Sequence, residues 1–109
     1  MEKPRLKMYV LVRKRVPVGI GTVNAAHAAL ATYLKFKNDP ETKEWLKRFY
    51  KVVVAVSDAQ FQKAKRVPYH VTIREDRYHN AEVAMAFKPR RNWPKRFFEF
   101  PLYPDRELR

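Results

Sequence analysis

"GTVNAAHAALATYL" (residues 21–34) places one histidine inside a helix built mostly of alanine. Alanine is the best helix former and the smallest side chain that keeps a helix regular. A helix of this composition lies close to whatever it packs on. The spacing predicts a helix from about Thr22 to Lys37, with Val23, His27, Leu30 and Leu34 on one face pointing inward. Thr22 and Asn24 fall in the first turn, facing the mouth of a site. His27 then has two readings. It is a core-edge imidazole with its ring nitrogens satisfied, or a functional group held where the helix comes closest to its neighbour.

Working outward, "KMYVLVRKR" (7–15) reads as a buried strand that ends in a basic cluster. "VPVGIG" (16–21) holds both glycines of the chain and reads as a tight loop into the helix. In "DPETKEWLKRFY" (39–50), Asp39 suits an N-cap and Pro40 the first helical position, with Trp45, Leu46 and Phe49 on one face. "KVVVAVS" (51–57) is a second buried strand, and Ser57 or Asp58 caps a short helix over 57–66. "YHVTIRED" (69–76) and "AEVAMAFKP" (81–89) alternate as strands joined by a polar turn, an antiparallel pair. The stretch from 91 to 109 reads as an extended tail anchored by Trp93, Phe97, Phe98 and Phe100.

The predicted order is β-α-α-β-α-β-β. Right-handed crossovers align the first three strands, and the last runs antiparallel beside the first and the third. The fold class is α/β, a four-stranded mixed sheet with helices on its faces. One domain over 1–109, with its core at about 6–90, accommodates it. Sites in such sheets lie beyond the carboxyl ends of the parallel strands. Here those ends carry Arg13, Lys14 and Arg15, Ser57 and Asp58, and Arg74, Glu75 and Asp76.

Charge narrows the function. Lys and Arg number 24 against 11 acidic residues, a formal net charge of +13 on 109 residues. Such an excess points to a polyanion, RNA first among the candidates. Arg13, Lys14, Arg15, Arg74 and Arg77 are the expected phosphate contacts. The chain has no cysteine, hence no disulfide framework and no thiolate metal site. No apolar run is long enough for a membrane span, and "MEKPRLK" lacks the apolar stretch of a secretory signal. A cytoplasmic protein needing no cofactor or metal is expected.

"YVLVRK", the histidine stretch "NAAHAAL", "KVVVAV" and "IREDRYHNAEVAMAF" together resemble the bacterial and archaeal-type peptidyl-tRNA hydrolases, the Pth2 family, over about residues 7–90. The distance from Arg13 to His27 resembles the divergent bacterial branch with a short loop before the helix. The resemblance implies a mixed four-stranded sheet, tRNA as partner, and hydrolysis of the ester between peptide and tRNA without a cofactor. On that reading His27 and Asp76, with Glu75 as substitute, are the catalytic candidates. The pattern departs from the better-studied branch in two places. Val18 or Ile20 stands where that branch has a loop lysine, and Val83 where it has a threonine. Two alternatives are a catalytically inactive RNA-binding member of the fold and an interaction module whose "FFEFPLY" segment packs on a partner or on a twin subunit as a homodimer.

Overall fold

The computed structural model describes residues 3–105. Its elements are β1 (Met8–Arg13), α1 (Val18–Phe36), α2 (Pro40–Trp45), β2 (Lys51–Val56), α3 (Asp58–Ala64), β3 (His70–Glu75) and β4 (Ala81–Phe87), with 3-10 turns at Asp76–Tyr78 and Lys95–Glu99. The strands form one sheet in the order β2-β1-β4-β3. β1 pairs in parallel with β2, and β4 runs antiparallel between β1 and β3. This is the expected α/β topology.

Strand alternation divides the interior in two. Tyr9 and Leu11 of β1, with Met85 and Phe87 of β4, face α3 and the segment after β4, where Phe61, Trp93, Phe97 and Phe100 close the core. Met8, Val10 and Val12, with Ala84 and Ala86, face α1 and α2. Side chains that alternate across a strand serve both faces, so Met8 to Val12 of β1 and Val83 to Phe87 of β4 are all buried.

Local chemistry places the helices. The Asp39 carboxylate accepts the backbone N–H groups of Glu41 and Thr42 at 3.0 and 3.2 Å, with Pro40 at the first helical position of α2. Ser57, rather than Asp58, caps α3 through a reciprocal pair with Gln60. Leu46 and Phe49 do not share Trp45's buried face, because α2 ends at Trp45 and the chain turns outward there.

Helix α1 departs most from the sequence reading. It begins at Val18, so both glycines lie inside the helix, and neither has a positive φ. Its buried face is Gly21, Asn24, Ala28 and Thr32. The predicted inward stripe faces out instead, with Val23, Leu30 and Leu34 at 44%, 59% and 54% exposure and His27 exposed between them. The cause is the sheet beneath. β4 presents Ala84 and Ala86, with Val83 at the register shift, to the α1 side, and the helix settles until Thr32 Oγ1 donates to the Ala86 carbonyl at 3.3 Å. Leucines at that distance would collide, so the small residues turn inward.

The tail is also more ordered than expected. Trp93, Phe97 and Phe100 are buried, but Phe98 points outward at 58% exposure. Residues 101–103 run antiparallel alongside β2: Ala55 N–H donates to Pro101 O and Tyr103 N–H to Val53 O, both at 2.9 Å. This carries the Tyr103 hydroxyl to the start of α1, where it donates to Val18 O at 3.1 Å.

The two glycines should respond oppositely to substitution. A Cβ at Gly21 would sit 2.2 Å from Tyr103 Oη and 3.0 Å from Val12 Cγ1, whereas one at Gly19 meets open space. Gly21→Ala should cost about 1–3 kcal/mol by overpacking, and Gly19→Ala should stabilise by up to about 1 kcal/mol through helix propensity. Equal melting temperatures for the two variants would contradict this account of the helix–sheet contact.

Candidate active site at the carboxyl ends of the strands

Because α1 lies so close, its first turns reach the end of β3. Asn24, buried, donates from Nδ2 to Glu75 Oε1 at 2.8 Å and to its own helix at Ile20 O at 2.9 Å. Arg77 completes the grip on Glu75: its backbone N–H and Nε each donate to Oε2 at 3.1 Å, and Nη2 donates to Oε1 at 3.0 Å. The Glu75 carboxylate thus accepts four hydrogen bonds, from the helix and from the turn that follows its own strand. The Arg77 side chain, then Asn24, then the Arg77 backbone hold its pKa well below the usual carboxylate range. Glu75 stays ionised and fully engaged at neutral pH, which suits it to fixing geometry rather than taking protons.

A second carboxylate organises the neighbouring strand ends. Asp58 accepts from Arg13 Nε at 2.9 Å and pairs with Arg15 Nε at 3.1 Å, so one acid at the start of α3 ties down the last residue of β1 and the arginine two positions on. The hydrogen bond from Arg13 is the main cause lowering its pKa. Arg13 also donates to Glu82 O at 2.6 Å. Lys14 pairs with Asp105 at 3.4 Å. Arg74 donates to Asn80 O at 3.0 Å and pairs with Glu82 at 3.6 Å.

The residues singled out from the sequence therefore have different fates. Asn24, Glu75 and Arg77 form one network. Arg13, Lys14, Arg15 and Arg74 stand at the predicted strand ends, each engaged by an acid. Thr22 and Asp76 are exposed near that network in the chain. His27 lies one helical turn beyond Asn24 with its ring in solvent. Among the described residues no hydrogen bond or ring contact holds the imidazole, so its ring nitrogens are not satisfied as a core-edge histidine's would be. His70 instead hydrogen-bonds Val67 O through Nδ1 at 2.9 Å, and His79 occupies a left-handed turn position. Among the described residues no group of three His, Cys, Asp or Glu side chains could hold a metal.

Sequence reasoning missed two participants, Tyr103 and Asp105. Both arrive from a segment about 85 residues away in the chain, and local pattern carries no signal for such a return. The part of Asp58 was half visible: its place at a strand end was legible, its pairing with two arginines was not.

A family profile described as Peptidyl-tRNA hydrolase PTH2 matches residues 6–89. The chain belongs to that family. No curated protein matches it. The match runs from the residue before Lys7 to just past β4, so it includes the strand ends, α1 and the Asn24–Glu75–Arg77 network. The segment carrying Tyr103 and Asp105 lies beyond it. Membership supports a peptidyl-tRNA hydrolase-like function in general and implies tRNA as the substrate's nucleic-acid part. Among the described residues no helix is long and apolar enough to cross a membrane.

The lowered Glu75 pKa sets the sign of a pH effect. A depressed carboxylate stabilises the fold fully above its unfolded pKa, near 4.3, and that contribution is lost as pH falls toward the folded value. The melting temperature should therefore decline as pH drops below about 5. Glu75→Gln should lower it at neutral pH and flatten the decline. A variant melting curve that parallels the wild type at every pH would remove Glu75 from this role.

Proposed function

We propose that this PTH2-family protein hydrolyses the ester joining a peptide to the terminal ribose of tRNA, acting at the strand ends beside the first turns of α1. The observation carrying the reading is the Asn24–Glu75–Arg77 network, which fixes the helix bearing His27 against the turn bearing Asp76. Glu75 is a positioning residue. Its lone pairs are occupied, so it orders the helix and the turn without touching substrate.

Hydrolysis needs a base for the attacking water and donors for the oxyanion. The water oxygen bonds to the ester carbonyl carbon while its proton passes to the base. The tetrahedral intermediate then releases the ribose oxygen, which takes a proton and leaves as a hydroxyl. His27 and Asp76 are the side chains proposed for proton transfer. His27 is open to solvent and its ring nitrogen can accept a proton from water, which favours it as the base. Arg13, Lys14, Arg15, Arg74 and Arg77 are proposed to meet the acceptor-end phosphates, with Thr22 lining the approach. A phosphate would compete with Asp58, Asp105, Glu82 and Glu75 for these cations, so binding should weaken steeply with salt. The absence of a lysine at Val18 or Ile20 supports placement in the short-loop bacterial branch, and a cytoplasmic place of action follows from the substrate.

A second reading is an inactive member that keeps RNA binding. It is favoured by Val83, fully buried where the better-studied branch carries a threonine hydroxyl.

Cleavage of peptidyl-tRNA by the purified protein decides between them. Turnover is expected, and His27→Ala should lower kcat by about 10²–10⁴, as loss of a general base does. The melting temperature should stay unchanged, since His27 is exposed and makes no hydrogen bond among the described residues. Wild-type protein that binds tRNA without cleaving it would establish the inactive reading, and His27→Ala at full activity would move proton transfer to Asp76.

A further inference from the structure

The end of the sheet opposite the candidate active site carries its own charged cavity. The residues leading into β1 and β2, together with α2, bound an open cavity of about 760 Å³. Six cations line it, Lys3, Arg5, Lys43, Lys47, Arg48 and Arg91, against the single acid Glu44. That acid is already taken, since Arg91 Nη2 donates to it at 2.7 Å while Arg91 Nη1 holds Pro4 O at 2.8 Å. Lys3, Arg5, Lys43, Lys47 and Arg48 are exposed, with no acidic partner among the described residues. At the opposite end of the sheet, by contrast, Arg13, Lys14, Arg15, Arg74 and Arg77 are each paired with an acid.

The cavity floor is rigid and aromatic. Trp45, buried, donates from Nε1 to Tyr50 O at 2.7 Å, and the Arg5 guanidinium lies 4.6 Å from the Tyr50 ring centroid. Beside it Phe49 stands 55% exposed, edge-on to Trp45 at 5.9 Å and held in a left-handed backbone conformation, φ 63°. Unpaired cations around a concavity, with an exposed ring next in the chain to its lining residues Arg48 and Tyr50 and Lys51 Nζ 5.2 Å from that ring's centroid, combine the two features that bind single-stranded nucleic acid: charge for the backbone and a face for a base.

We propose that this cavity is a second RNA-binding site, in which the cations hold backbone phosphates of an unpaired stretch and Phe49 stacks on one base. A six-residue strand separates the two ends of the sheet by roughly 17–20 Å. An RNA engaged at the carboxyl ends would reach the cavity with a part well away from its acceptor terminus. The choice of tRNA as ligand rests on the function proposed above; the binding of unpaired RNA does not.

The test is fluorescence anisotropy with labelled deacylated tRNA and with an unstructured RNA of about twelve nucleotides, a length within the range such sites cover. Lys47→Glu with Arg48→Glu should weaken both RNAs at least tenfold and reduce the salt slope by about two. Phe49→Ala should weaken the short RNA several-fold and leave the slope unchanged. Lys63→Glu with Arg66→Glu, the same charge change at the end of α3 and just beyond it, should have a clearly smaller effect. Equal losses in the two double variants would show a diffuse field and overturn the proposal. So would unchanged RNA affinity, or cavity-dependent binding to anionic phospholipid vesicles but not to RNA. These outcomes are separate from ester cleavage: cavity-dependent binding without turnover would defeat only the hydrolase reading, and turnover without cavity dependence only this one.

Discussion

The closeness of α1 to the sheet governs the rest of the molecule. Ala84 and Ala86 leave room on the β4 face, and Gly21, Asn24, Ala28 and Thr32 fill it from the helix. At a wider spacing Asn24 would not reach Glu75, and that carboxylate would lose its donor from the helix. Helix position and site geometry are thus one constraint. Buried polar groups make it directional, because an unpaired Asn24 or Glu75 would carry a desolvation penalty that no neighbouring apolar contact offsets.

The same constraint governs charge. Acids stand at the strand ends where the chain has concentrated its arginines, and Asp58 alone neutralises two of them. The candidate active site is a lattice of ion pairs, which any phosphate held there as proposed would have to open. The large positive excess of the sequence is therefore not spread evenly. It is muted at one end of the sheet and uncompensated at the other, a distribution that total charge could not disclose.

Much of the architecture was readable from pattern. β1 and β2 are continuous apolar runs, Asp39-Pro40 and Ser57 are local caps, and short turns leave few topologies for four strands. Glu75 could be placed near the site because it follows an alternating strand. The orientation of α1 was misread because hydrophobic periodicity presumes that the larger apolar residues face the core. That fails when the opposing surface is alanine and the gap admits only small side chains. Val23, Leu30 and Leu34 look like a core stripe in one dimension, and only the size of the residues on β4, some 55 positions later, shows that they cannot be. Tyr103 and Asp105 were hidden for a related reason: their partners are fixed by the path of the tail beside β2, which no local spacing encodes.

That path bears on self-association as well. A sheet with free borders is a template for other chains, since its outermost strands offer rows of unsatisfied N–H and C=O groups. Residues 101–103 occupy the border at β2 with the chain's own backbone. At the other border, the pairing of β3 with β4 shifts register between Ile73 and Arg74, where β4 carries the extra residue Val83, and β3 finishes in charged residues. A bulge and a charge together twist and blunt a border strand. The two borders thus carry different features that disfavour edge-to-edge pairing, a covering segment at β2 and a register shift with charged residues at β3.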